Sequence, residues 1–263
     1  YKKKNKNFLS MTLERETLRK NKFIPSLFKK DIKNKSNKSY ISEHNIKISY
    51  DNKKNIFYFI KSVNLNEIKK ETKKETLKQF ISIDPGIRTF LNGYDYESFI
   101  EIGQNLESHL IKDIKKLDFL HTKNNKKYIN KREELRKKLK NKINDLHWKS
   151  INFLISHYNN ILIGILSTSD VIRNDKSKLS KLKKRLILFL EHFNFREKLK
   201  YKCNSKKINY LEIDEYYTSK TCSNCGNIKN NLGSNKIYHC NHCNIIIDRD
   251  YNGCRNILYK GLK

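Results

Sequence analysis

Four of the six cysteines form two CxxC pairs, Cys222-Ser-Asn-Cys225 and Cys240-Asn-His-Cys243, separated by residues 226–239. A CxxC turn puts two thiolates on one tight knuckle, and two knuckles make a tetrahedral four-sulfur site of the kind zinc takes. With four protein ligands such a site leaves no open position, so its zinc is structural. Gly226 follows the first knuckle, where a positive φ is often needed. His242 sits inside the second knuckle and is set apart from the ligand set. Disulfides or redox motifs are the competing reading, but paired CxxC turns point to metal in a reducing, intracellular compartment.

The acids make a second group. Asp84 ends the apolar run Phe80-Ile81-Ser82-Ile83 and is followed by Pro85-Gly86, a turn signal. Asp248-Arg249-Asp250 comes directly after the second knuckle. A carboxylate at a strand end is well placed to hold a hard cation. Each also has a plainer reading: Asp84 as a solvated turn residue, Asp250 as a helix N-cap. Phosphodiester hydrolysis requires a deprotonated water and a neutralised leaving oxygen. Two Mg²⁺ ions roughly 4 Å apart meet both needs, held by three or four carboxylates. Two aspartates are too few, so a third acid is wanted from the middle of the chain. Asp170, Glu212, Asp214 and Glu215 compete for that place. Alternation along the strand at 210–213 puts Glu212 and Asp214 on the face opposite Leu211, Ile213 and Glu215.

Charge names the class of partner. Lys and Arg number 57 against 27 Asp and Glu, a formal net charge of +30. Such an excess opposes a compact fold unless a polyanion neutralises it. Nucleic acid does so with release of condensed counterions. A lysine-rich, AT-biased genome accounts for part of the count. No apolar run approaches the ~20 residues of a membrane span, and no secretory signal is visible. Neither a membrane nor a small-molecule substrate is expected. The start at Tyr1 rather than Met points to a processed chain or a fragment.

The elements that must position these residues follow from periodicity. Residues 1–45 are polar and basic with weak pattern. Ile46, Ile48 and Tyr50 alternate, a turn follows at 51–55, and residues 56–60 are apolar, together a hairpin. Residues 67–78 read as a charged connector and 80–84 as a strand. Thr89–Leu91 and Ser98–Ile102 read as antiparallel strands, and 105–158 as two long helices. Ile161–Leu166 and Tyr210–Ile213 are strands, Lys178–Leu199 a helix. The ribbon spans 218–247, and a last helix starts near Asn252. Strands alternating with long helices predict an α/β sheet.

At this point the residues resemble a known family. Ile83-Asp84-Pro85-Gly86-Ile87-Arg88-Thr89-Phe90 is similar to the first RuvC motif of TnpB, the transposon-encoded nucleases related to type V CRISPR effectors. Residues 217–226, Tyr-Thr-Ser-Lys-Thr-Cys-Ser-Asn-Cys-Gly, resemble that family's ribbon entrance. Residues 248–257, Asp-Arg-Asp-Tyr-Asn-Gly-Cys-Arg-Asn-Ile, resemble its third RuvC motif. The resemblance implies an RNase H-like (RuvC) mixed sheet with a helical insertion and an inserted zinc ribbon. On it, residues 1–75 are a partial wedge-like β region with a basic N-terminal segment. Residues 76–217 are the nuclease core, with the insertion at about 105–158; 218–247 are the ribbon and 248–263 the end of the core. The family's second acid is a glutamate on the strand that here reads Ile161-Leu162-Ile163-Gly164-Ile165-Leu166, and Gly164 stands near its place. The eukaryotic and giant-virus relatives called Fanzor also lack it and carry a glutamate just before the Thr-Ser-Lys-Thr-Cys stretch, where Glu215 stands here. Glu191-His192-Phe193-Asn194-Phe195-Arg196 also looks like Fanzor. The resemblance thus implies an RNA-guided DNA endonuclease, with a guide RNA and a DNA target as partners. It implies Asp84, Glu215 and Asp250 as Mg²⁺ ligands and Cys222, Cys225, Cys240 and Cys243 as zinc ligands. The alternative is a truncated or inactive relative that binds nucleic acid or serves as a transposition accessory, favoured by Gly164 and by a short N-terminal region. Localisation stays open between nucleus and cytoplasm.

Overall fold

The computed structural model describes residues 8–14, 18–19, 22–23, 44–51, 55–62, 77–123, 125–173, 179–233 and 235–263. The chain separates into two compact units, 1–71 and 72–263.

In the first unit, β1 (Phe8–Leu13) pairs antiparallel with β4 (Ile46–Asp51), which pairs antiparallel with β5 (Ile56–Ile60). The short strands β2 (Leu18–Arg19) and β3 (Lys22–Phe23) pair with each other. The expected hairpin at 46–60 is β4–β5. Asn55 turns it with φ +53°, and the Tyr50 hydroxyl donates to Asn55 Oδ1 at 2.8 Å. The third strand, β1, lies within the stretch the sequence left without pattern.

The second unit is built on a five-stranded sheet in the order β10-β9-β6-β7-β8. Its strands are β6 (Lys78–Pro85), β7 (Leu91–Tyr94), β8 (Phe99–Ile102), β9 (Tyr158–Gly164) and β10 (Asn209–Ile213). β6, β7 and β8 form an antiparallel meander, while β9 and β10 run parallel to β6. The fold is the mixed α/β sheet expected from the sequence.

Alternation divides this sheet between two cores. Ile81, Ile83, Leu91, Ile161 and Ile163 pack on one face with α1 (Leu106–His121), α2 (Lys126–His157), α4 (Lys181–Leu190) and α5 (His192–Lys206). Leu110, Ile114 and Leu117 of α1 and Leu139, Ile143 and Leu154 of α2 are the buried stripe, at helical spacing. Tyr94, Leu162 and Ile213 face the other way, against Cys254, Ile257 and Leu258 of α6 (Arg249–Gly261). Burying about 20 aliphatic and aromatic side chains in the larger core is the main stabilising contribution, about 2 kcal/mol each.

Several boundaries differ from the sequence reading: the strand expected at 89–91 is β7, Leu91–Tyr94, and the last helix starts at Arg249 rather than near Asn252. The helix expected over 178–199 is two helices, broken at Glu191, whose φ of +48° both ends α4 and starts α5. No glycine or proline marks this break. The strand expected at 161–166 begins at Tyr158, directly where α2 ends. A short helix, α3 (Thr168–Arg173), follows it. No described helix is long and apolar enough to cross a membrane.

Candidate functional site

The four cysteines form one knot. Their sulfurs all lie within 4.8 Å of one another. Cys222 and Cys243 approach to 3.7 Å, and Cys225 and Cys240 to 3.6 Å. A tetrahedral ion with sulfurs at ~2.3 Å sets its ligands about 3.8 Å apart, so the group fits a metal of zinc's size. Both knuckles are built alike. Gly226 N–H donates to Cys222 O at 2.9 Å, and Asn244 N–H donates to Cys240 O at 2.9 Å. Both turn residues have positive φ, +77° and +58°. Backbone N–H donation from Ile245, then the Asn224 side chain, pulls the Cys243 thiol down to about 6. His242 stands outside the knot. The second knuckle is carried between β11 (Ile237–His239) and β12 (Ile246–Asp248), an antiparallel pair.

The ribbon is tied to α6 by two asparagines that the sequence reading passed over. Asn252 Oδ1 accepts from Ser223 N–H at 2.9 Å, and its amide donates to Thr221 O at 2.8 Å. Asn256, one turn on, donates to Thr218 O and Thr221 O. Both are buried. Two asparagines at i and i+4 are neighbours on one helix face. That spacing is the signal that could have found them.

This tie sets Asp250, because ribbon and helix meet at it. The helix cap is Asp248, whose Oδ1 accepts from the N–H groups of Asp250 and Tyr251. Asp250 is therefore not the cap, and its carboxylate is left for other work in the first turn. Asp84 lies on the sheet face that α6 covers. Two residues earlier on that face, Ser82 donates to Cys254 O at 2.8 Å. The Asp84 carboxylate presses on the helix backbone at Gly253, where an added Cβ would meet Oδ2 at 2.9 Å.

Glu215 reaches the same place from a different strand. β9 and β10 are parallel, with Ile213 opposite Gly164, and Ile83 lies opposite Ile163. One step further along β6 brings Asp84 beside Gly164. Ile165 N–H donates to Ile213 O at 2.9 Å, holding the ends of β9 and β10 together. Glu215 then folds back over Gly164. A Cβ at 164 would lie 2.8 Å from its Cγ and 3.0 Å from its Cδ. The carboxylate of residue 215 thus occupies the space that a side chain from residue 164 would enter.

Asp84 feels the charge of both other acids. Burial pushes the Asp84 carboxyl well up, and the negative charges of Glu215 and then Asp250 push it further. Burial likewise pushes Glu215 up to about 7, opposed by the Arg196 guanidinium. Asp250 is raised by burial and by Asp248, and lowered by Arg249, Arg88 and Lys236. All three are half-buried. Glu215 Oε1 has no hydrogen-bond partner, and neither has Oδ1 of Asn92, the buried cross-strand neighbour of Asp84. Buried oxygens without partners are costly. Oxygen donors around shared negative charge are what a hard cation takes, so these residues fit one. Among the described residues the cysteines alone form such a tight ligand cluster; the three acids do not.

Two of the competing acids are otherwise engaged. Glu212 accepts from the Tyr210 hydroxyl at 2.8 Å, and exposed Asp214 accepts from Tyr216 N–H. The side chain of Asp170, on α3, lies outside the described residues.

A mixed sheet carrying clustered acids, with a four-cysteine ribbon entered between the last sheet strand and the last helix, defines the class of RuvC-like folds with a ribbon. Residues 192–257 match the family of Cas12f1-like TNB domains. A TnpB-like protein of Acanthamoeba polyphaga mimivirus is 32% identical over 258 residues, covering 92% of this chain and 48% of that one. A CRISPR-associated endodeoxyribonuclease Cas12f1 of Sulfoacidibacillus thermotolerans is 33% identical over 85 residues, 32% of this chain and 20% of that one. The cryo-EM structure of a Cas12f1–sgRNA–target DNA complex superposes with a TM-score of 0.51 at 19% identity, covering 98% of this chain and 68% of that one, a likeness of fold. The chain belongs to the TnpB family. It spans about half the length of the curated relatives it matches.

Proposed function

We propose that this chain is the catalytic part of an RNA-guided DNA endonuclease that hydrolyses phosphodiesters with two divalent cations. The observation that carries the reading is the convergence of Asp84, Glu215 and Asp250 from three separate elements, with Glu215 seated over Gly164. Asp84, Glu215 and Asp250 would hold Mg²⁺, which when bound supplies a hydroxide-like water and neutralises the leaving oxygen. The raised carboxyls of Asp84 and Glu215 are acids that lose their protons most readily when a cation takes their place. Cys222, Cys225, Cys240 and Cys243 would hold zinc, which fixes the ribbon and, through Asn252 and Asn256, the start of α6.

The partners follow from charge and kinship. A net charge of +30 favours a polyanion. The Cas12f1 neighbour was solved with sgRNA and target DNA, which supports a guide RNA and a DNA target here. In such systems base pairing reads the sequence while protein holds the backbone. The Glu215 placement also supports the Fanzor-like branch, where the second acid is relocated.

The test is cleavage of labelled single-stranded and duplex DNA by the full chain in Mg²⁺ or EDTA, with alanine at 84, 215 and 250. Cutting that needs Mg²⁺ and all three acids supports the reading. Salt-dependent binding without Mg²⁺-dependent cutting would instead identify a nucleic-acid-binding relative.

A further inference from the structure

The rear of the carboxylate site is held by one helix. His192 is the first residue of α5, and its Nε2 lies 3.0 Å from the carbonyl oxygen of Gly86. Gly86 belongs to the turn that carries Asp84, closed by Gly86 N–H donating to Phe90 O at 3.0 Å. The Phe90 ring stacks on His192 with centroids 5.1 Å apart, planes 16° from parallel, and meets Phe195 edge-on. The turn is thus gripped by a hydrogen bond and a stack from the same ring.

The choice of histidine here is informative. His192 is 1% exposed, and its Nδ1 has no partner. A phenylalanine would fill the same stack without burying a bare ring nitrogen. The imidazole therefore retains one polar task, donation from Nε2 to Gly86 O. One helical turn on, Arg196 lies on the same face. It is buried, rests over the Phe193 ring, and donates to Leu166 O just beyond β9. It is also the foremost positive charge acting on Glu215. The broken helix makes this possible. The positive φ at Glu191 lets α5 restart with His192 against the turn that follows β6, while His147 of α2 bonds Leu190 O at 2.9 Å behind the break.

We propose that the first turn of α5 is the positioning brace of the carboxylate site, His192 setting the Asp84 turn and Arg196 holding the chain at Leu166, just beyond the end of β9 over which Glu215 lies. The proposal rests on the metal-site reading above. Both are positioning residues, acting through the acids. Groups that orient metal ligands typically change metal affinity or activity by about 10- to 100-fold when removed.

The experiment is Mn²⁺ binding to the zinc-loaded full chain, followed by electron paramagnetic resonance, with melting temperature and zinc content measured on the same samples. Asp84→Ala defines the site-specific signal. His192→Phe keeps the stack and loses the donor, and should weaken Mn²⁺ by about 10- to 100-fold. His192→Gln, whose amide can donate to Gly86 O, should restore most of that affinity. In cleavage, His192→Phe should lower turnover with KM for DNA unchanged. Wild-type Mn²⁺ affinity in a folded His192→Phe chain overturns the brace. If that variant does not fold, Arg196→Met decides, since it removes the other arm and leaves the stack; unchanged Mn²⁺ affinity there overturns the brace equally. A wild-type chain with no Mn²⁺ signal sensitive to Asp84→Ala overturns the metal reading itself, and the brace with it.

Discussion

Adding one methyl group at Gly164 should disable the site while leaving the chain folded. An alanine Cβ there would stand 2.8 Å from Glu215 Cγ and 3.0 Å from its Cδ. Carbon atoms not bonded to one another settle near 3.5–4.0 Å, so the carboxylate must retreat by about 1 Å. What retreats is the end of a flexible side chain, so the stability cost should be about 1 kcal/mol or less. A misplacement of that size at reacting groups costs on the order of 100-fold in rate, or about 2.7 kcal/mol in the barrier. The assay is single-turnover DNA cleavage at saturating Mg²⁺, beside thermal melting. Gly164→Ala should cut about 100-fold slower at nearly unchanged melting temperature. The same geometry predicts a transplant. Two carbon–carbon bonds carry a glutamate's Cδ about 2.5 Å from its Cβ. A glutamate at 164 can therefore place its carboxyl close to where that of Glu215 now lies. Gly164→Glu combined with Glu215→Ala should recover much of the activity that Glu215→Ala alone removes. Wild-type cutting by Gly164→Ala, in a preparation where Glu215→Ala is dead, would refute the claim that the seat over Gly164 matters.

Four further outcomes are expected. Glu215→Gln should abolish Mg²⁺-dependent cleavage, while Glu212→Gln and Asp170→Asn should cut as wild type in the same assay. Cys222→Ser, or strong chelation, should release one zinc per chain by elemental analysis and lower the melting temperature, because binding energy of the metal is folding energy for so small a ribbon. Asn256→Leu takes the side-chain donor from Thr218 O and one of the two from Thr221 O, and should cost about 1–3 kcal/mol in urea unfolding. For pH, the Glu215 carboxyl is lifted by burial from an ordinary 4.5 to about 7. Below 4.5 the folded and unfolded chains both keep its proton, and stability is unaffected. Between 4.5 and 7 only the unfolded chain releases it, so metal-free wild type should lose stability relative to Glu215→Gln as pH rises through that window. Mn²⁺ affinity should climb over the same range.

What could be read from the residues was what depends on local spacing. The two CxxC turns closed as their spacing required. The apolar stripes of α1 and α2 buried the leucines and isoleucines that recur at three and four residues. The alternation along β10 put Ile213 on the α6 face and Glu212 with Tyr210 on the other, while Glu215 lies beyond the end of the strand and folds back over Gly164. What stayed hidden depends on partners distant in the chain. β1 is defined by pairing with β4 more than thirty residues away, and nothing in its own basic surroundings announces it. The break at Glu191 falls inside unbroken helical periodicity, with no glycine or proline to mark it. Asn252 and Asn256 look like ordinary surface polar residues until the ribbon folds onto them. Gly164 was visible as a departure from the family's pattern. Its reason, making room for a carboxylate arriving from the next strand, exists only once β9 and β10 lie side by side.

The most direct test of the account is an anomalous-scattering map of the full chain soaked in Mn²⁺. Mn²⁺ density should be bounded by the carboxylates of Asp84, Glu215 and Asp250, with two ions roughly 4 Å apart. Mn²⁺ bound by Asp84 and Asp250 with Glu215 turned away, or no Mn²⁺ between them at all, would contradict it.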